Sequence, residues 1–202
     1  MADLLPIFPL ELVLFPGTQL PLHIFEERYK EMIAECQAQK RPFGVVRAMN
    51  QALAEVGCTA EIVEVVKKYE DGKLDILCEG RQRFEVVQLN QERSFLRAEV
   101  AFFDDEPDTP LAEHTQRAIE SYNELMKLVD SEAETPEPDE PQLSFHLVSA
   151  LPVDLDFKQT LLASRSEAKR IAMTAEYLTA VLPRMKRAIK AREKAGGNGH
   201  GL

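Results

Sequence analysis

FPLELVLFPGTQLPLHIFEERYKEMI, residues 8–33, decides how this chain is read. Two Phe-Pro dipeptides, Phe8-Pro9 and Phe15-Pro16, punctuate a run that is apolar almost throughout. Phe15-Pro16-Gly17-Thr18 has the chemistry of a type II turn: proline presets φ at the first central position and glycine supplies φ > 0 at the second. From Phe25 onward, Tyr29, Met32, Ile33 and Cys36 recur at the spacing of one helix face, which predicts a helix ending near Gln39. Leu4–Phe8, Leu12–Phe15 and Phe43–Arg47 read as strands. Phe8, Phe15, Phe25 and Tyr29 are expected to fill the core and seat this helix.

Downstream, residues 58–103 are β-rich. Asp71-Gly72 is the dipeptide of a two-residue type I′ hairpin. That loop sets Tyr69 opposite Leu74, Val65 opposite Cys78 and Glu64 opposite Glu79. Gly80-Arg81-Gln82-Arg83 is expected to turn the chain into a third strand, Phe84–Leu89, with a fourth over Phe95–Phe103. Short strands separated by turns predict a curled antiparallel sheet or small barrel.

After Phe103 the pattern becomes helical. Thr109-Pro110 caps one helix, and Ser131 to Pro141, with three prolines and five acids, is a loop. Leu143–Leu151 forms a short helix. Capping boxes at Asp156-Phe157-Lys158-Gln159 and Ser164-Arg165-Ser166-Glu167 open two more. The last is long, with an apolar stripe from Ile171 to Ile189 and a kink at Pro183. The fold class is α+β: a β subdomain over residues 1–106, a helical subdomain over 107–194 and a Gly-rich, disordered tail over 195–202.

The chain has 202 residues, 45% hydrophobic and 29% charged, enough to bury an ordinary core. Its net charge of −10 is concentrated between Asp104 and Glu140, where thirteen acids meet two bases. That acidity argues against nucleic acid as a partner, and only the basic cluster Arg184–Lys194 points the other way. No apolar run is long enough to span a bilayer, and no signal peptide opens the chain. Three cysteines, odd in number and without CxxC spacing, argue against a disulfide scaffold or a structural zinc, so the cytoplasm is expected.

The search for chemistry finds no phosphate-binding G-x-x-x-x-G-K-[ST], no G-x-S-x-G and no H-E-x-x-H. His23, His114, His146 and His200 lie too far apart to hold a metal, and no cofactor is expected. Cys36 and Cys78 read as buried, inert thiols, and no base accompanies Cys58. Glu26, Arg28 and Arg83 read as structural ion pairs tying the sheet to its first helix.

Three segments together resemble the opening of the N-terminal, substrate-binding domain of Lon proteases: Leu5-Pro6-Ile7-Phe8-Pro9-Leu10, Leu14-Phe15-Pro16-Gly17 and Pro21-Leu22-His23-Ile24-Phe25-Glu26-Glu27-Arg28-Tyr29. The likeness continues through Gly57-Cys58-Thr59-Ala60-Glu61-Ile62 and Gly80-Arg81-Gln82-Arg83-Phe84. The resemblance implies a PUA-like pseudo-barrel with a helical subdomain, and a role in recognising polypeptide. The ATPase and Ser-Lys peptidase domains that follow in Lon have no counterpart in these residues, so no enzymatic activity is implied. Exposed or unfolded protein segments are the expected partners, with Leu20, Pro21, Met32 and Phe43 as candidate contacts in a groove between barrel and helices. RNA is the rival partner, because PUA-like barrels also occur in RNA-modifying proteins. A weak homodimer is expected from the basic end of the last helix and the acidic Asp104–Glu140 region.

Overall fold

The turn at Pro16-Gly17 forms as its chemistry requires. The computed structural model describes residues 4–50, 52–128, 135–149 and 151–196, the side chains of 188–196 excepted. Gly17 takes φ +73°. The Thr18 amide and hydroxyl both donate to the Phe15 carbonyl, at 3.3 and 2.7 Å. Two further bonds clip the turn onto a distant strand: Gly17 N–H donates to the Gly80 carbonyl and Gly80 N–H to the Thr18 carbonyl, each at 2.9 Å.

Around this clip the chain runs β1 (Leu5–Leu10), β2 (Gln19–Ile24), α1 (Glu27–Gln39), β3 (Phe43–Met49), β4 (Ala52–Lys68), β5 (Leu74–Asn90) and β6 (Leu96–Phe102). There follow α2 (Ala112–Leu128), α3 (Leu143–Ser149), α4 (Leu155–Ala163) and α5 (Glu167–Gly196). The strand order is β2-β5-β4-β3-β1-β6, and β5 pairs with β6 as well. Five strands therefore close a ring, and β2 lies outside it along the first half of β5. The ring is not a regular barrel.

The antiparallel expectation is corrected at one pair. β1 and β3 run parallel, Ile7 opposite Gly44 and Leu10 opposite Arg47, so the sheet is mixed. The reason is the connection: β2 and α1 intervene between β1 and β3, and a crossover of that length returns the chain in the same direction. Leu12–Phe15 is loop rather than strand, and the strand lies later, at β2. Pro21 inside β2 is tolerated because β2 is an edge strand.

The hairpin register also differs from expectation. Gly72, at φ +79°, is the one loop residue in the left-handed region, whereas a type I′ turn needs Asp71 there too. Tyr69 N–H instead donates to the Lys73 carbonyl and Gly72 N–H to the Tyr69 carbonyl, each at 3.0 Å, enclosing a three-residue loop. Lys68 then faces Leu74 and Glu64 faces Leu77. Glu79 falls opposite Glu61, and Arg81 bridges the two carboxylates at 2.7 Å each. No turn interrupts Gly80–Arg83: β5 passes straight through, with register shifts against β4 that let it bend.

The chain forms two compact units, Met1–Asp104 with Val153–Ala163, and Asp105–Pro152 with Ser164–Leu202. The first holds the sheet, α1 and α4, so α4 belongs with the strands rather than with the other helices. Its core includes Ile7, Phe15, Ile24, Met32, Ile33, Phe43, Ile76 and Phe84. α1 is tied to the β5–β6 loop by ion pairs not expected from the sequence, Arg93 bonding Glu31 at 2.6 Å and also Glu35, while Arg41, just after α1, bonds Glu35 at 2.8 Å. Asp154, not Asp156, caps α4, its Oδ1 accepting the amides of Asp156 and Phe157 at 2.8 and 3.1 Å.

The second unit packs α2, α3 and α5 about Arg170, whose residue surface is wholly buried. Burial alone would lower its pKa, but Asp105 and Glu167 outweigh that and raise it. Its guanidinium meets both Asp105 oxygens at 2.6 Å, donates to the Ser164 carbonyl at 2.7 Å and lies 4.3 Å from the Phe145 ring centre. Ser166, not Ser164, caps α5, accepting the Lys169 amide at 3.0 Å. Lys186, in the basic cluster, pairs with Glu124 of the acidic helix α2 in the same unit. Pro183 sits inside a continuous α5, and Ala195 and Gly196 complete it. The rest of the expected tail, the loop residues 129–134 and the Ile189 side chain lie outside the described residues.

Candidate functional site

The cysteines are the first possibility that the structure narrows. All three are free and buried. Loss of solvation pushes the Cys36 thiol up to about 11, and Cys58 and Cys78 to about 12. A thiol held so far above neutral pH is a poor nucleophile, so these residues pack rather than react. Among the described residues, no three His, Cys, Asp or Glu side chains are grouped to hold a metal ion.

The candidate contacts lie in the first unit and fare differently. Met32 and Phe43 have no exposed surface, and Leu20 is buried, so three of the four face the core. Pro21 is exposed on β2. Arg28 pairs with Glu26 at 2.8 Å, but both are about half exposed and only two residues apart, so the pair ties nothing to the sheet. Arg83 is buried, donates to the Leu162 carbonyl at 3.1 Å and lies 4.7 Å from the Phe103 ring centre. It braces the β-rich unit from within.

What the opening stretch does build at the surface is a cleft of about 250 Å³. Phe8, Pro9 and Leu10 from the end of β1 form one wall, and Leu22 to Glu26 with Arg28 and Tyr29, from β2 into α1, form the rest. Tyr29 stacks on Phe8 with ring centres 4.0 Å apart, and the Arg28 guanidinium lies 4.6 Å from the Tyr29 ring centre. Burial raises the Tyr29 pKa, so its hydroxyl stays protonated at neutral pH.

Phe25 stands at the mouth. The core role expected of it is corrected: the residue is 57% exposed. It lies two positions before Glu27, where α1 begins, and so escapes the buried stripe of Tyr29, Met32, Ile33 and Cys36. Phe25 stacks with His23 at 5.9 Å between ring centres, and His23 meets Tyr69 edge-on at 5.8 Å. Asp75 holds the row in place, accepting from Tyr69 at 2.7 Å and bonding His23 at 2.6 Å. These bonds, His23 first and Tyr69 second, lower the Asp75 pKa. The result is an aromatic surface leading into a cleft of mixed lining, with apolar side chains from β1 and β2 and the charged Glu26 and Arg28 beside them.

Comparison with known proteins identifies what kind of module carries it. The family model of the ATP-dependent protease La (LON) substrate-binding domain matches residues 4–180. The chain belongs to this family. The Lon N-terminal domain protein from Xanthomonas campestris has a similar structure, with a TM-score of 0.68 at 27% identity over 88% of this chain and 98% of that one. The N-terminal domain of the Mycobacterium avium complex Lon protease shares the fold, with a TM-score of 0.65 at 15% identity and the same coverage. Lon protease of Parabacteroides distasonis is 27% identical over an alignment of 145 residues that covers 67% of this chain and 18% of that protein. Lon protease of Amoebophilus asiaticus is 24% identical over an alignment of 200 residues that covers 90% of this chain and 24% of that protein. The chain thus spans less than a quarter of these curated relatives. The cleft and its aromatic row lie wholly inside the matched LON segment.

Proposed function

We propose that this LON domain holds exposed apolar segments of other polypeptides at the cleft headed by Phe25, and performs no chemistry on them. The observation that carries the reading is Phe25 itself, a large apolar side chain left in water beside a cleft, within a segment matched by a substrate-binding family. An exposed aromatic beside a recess gives an incoming apolar side chain a surface to bury against. A bound apolar side chain would gain roughly 1.5–3 kcal/mol from burial there. Protonated, buried thiols support holding over catalysis. They also fit a reducing compartment, the cytoplasm.

The test is binding of a fluorescently labelled, reduced and unfolded protein to the wild type and to Phe25→Ser. The substitution is expected to weaken binding about tenfold, as loss of a central aromatic anchor does, without lowering the melting temperature. Equal binding by both proteins would refute this location.

A further inference from the structure

The hydrogen-bonding phase of β2, the strand outside the ring, follows from its register. Gly80 N–H donates to the Thr18 carbonyl at 2.9 Å, and pairing runs without a shift from Gln19 opposite Glu79 to Ile24 opposite Leu74. In an antiparallel ladder, residues whose backbone groups point at the partner alternate with residues that point away. Thr18 points inward, so Leu20, Leu22 and Ile24 do too. Gln19, Pro21 and His23 therefore turn their backbone groups outward. Pro21 agrees with this phase, because proline is tolerated where its missing N–H would face away from the partner strand. All three outward residues are exposed. Among the described residues β2 pairs only with β5, and no other backbone group bonds these three.

We infer that the outer edge of β2 takes an extended polypeptide segment as an added strand. This rests on the reading that the face holds polypeptide, and it names the conformation recognised. The edge offers the amides of Gln19 and His23 and the carbonyls of Gln19, Pro21 and His23. A guest needs free backbone amides more than any particular side chain, which suits unfolded segments of varied sequence. Its side chains alternate between two faces. Those on one face meet the cleft lined by Phe8, Leu10, Leu22 and Ile24, so every second guest residue is apolar there.

A second copy of this chain is the weaker occupant. Pairing β2 with β2 brings a Pro21 from each strand, so donors are missing on both sides. A guest segment meets only one such gap.

The experiment uses the full chain and a short labelled peptide of alternating valine and threonine, with and without N-methylation of every amide. N-methylation leaves the side chains in place and removes the donors. It is expected to weaken binding about tenfold or more, the effect of losing several hydrogen bonds. Hydrogen exchange at the Gln19 and His23 amides is expected to slow when the unmethylated peptide binds. If both peptides bind alike, or if the unmethylated peptide binds while those amides exchange at their free rate, strand addition is wrong although polypeptide binding stands. If neither this peptide nor an unfolded protein binds, the underlying reading fails as well. Slowed exchange at the two amides without peptide, growing with protein concentration, would assign the edge to a second copy and overturn the proposal.

Discussion

A methyl group built on Gly80 would stand 2.1 Å from the carbonyl oxygen of Phe15. This contact joins the opening stretch to β5, because the two backbone bonds between Gly80 and the Phe15–Thr18 turn require the chains to touch. The obstacle is backbone, which cannot rotate aside as a side chain could. Gly80→Ala is expected to unseat the turn at a cost of about 1–3 kcal/mol, as overpacking does. Because β2 starts from that turn, the variant should also bind polypeptide less well. Chemical denaturation with a parallel binding titration checks both effects.

Arg28 and Arg83 should behave differently, although the sequence suggests one role for both. Arg28 and Glu26 are about half exposed, so Arg28→Ala is expected to cost under about 1 kcal/mol. Arg83→Ala removes a buried side chain from Phe103 and the Leu162 carbonyl, and is expected to cost about 2–5 kcal/mol. Thermal melts of the two variants decide this. Equal losses would contradict the assigned environments.

The contrast shows how far the residues alone could lead. The Pro-Gly turn, the α1 stripe and the approximate positions of β1, β3 and α5 are local features, set by backbone chemistry or periodicity, and all were legible. The parallel pairing of β1 with β3 was not, because nothing in either strand states which neighbour it will find. The hairpin register was lost to a single torsion, since Asp71-Gly72 serves a three-residue loop as readily as a two-residue one. At the proposed site, the segment and its exposed Pro21 were named from the sequence, but the aromatic members His23, Phe25 and Tyr69 were not. Phe25 was assigned to the core by spacing that fails because α1 begins after it. His23 and Tyr69 are neighbours only through pairing between β2, β5 and β4, which sequence separation conceals.

Asp75 makes the aromatic row depend on acidity. Its pKa is lowered in the folded chain by the bonds from His23 and Tyr69. A depressed carboxylate contributes stability above its unfolded pKa, near 3.9, and loses that contribution as pH falls through the folded value. Asp75→Asn should therefore melt below the wild type near neutral pH, and the two should converge as the medium becomes more acid than about pH 4. A constant difference across that range would show that Asp75 acts by shape alone.

The three thiols give a test of the core. With pKa values of about 11 for Cys36 and about 12 for Cys58 and Cys78, and with all three buried, the native protein should resist a thiol reagent at mildly alkaline pH. All three should react at once in denaturant. A rapidly modified cysteine in the native state would mean that part of the first unit opens readily, and would return that thiol to consideration as a nucleophile.

The central claim is that polypeptide is held by the surface built from the opening stretch. Its most direct test is a residue-resolved NMR titration of the isotopically labelled chain with an unlabelled, unfolded protein. The account predicts perturbations concentrated at Phe8–Leu10, Gln19–Tyr29, Tyr69 and Asp75. Perturbations confined to the apolar cleft of Met49, Leu53, Leu89 and Leu96, or to the helices α2, α3 and α5, would contradict it.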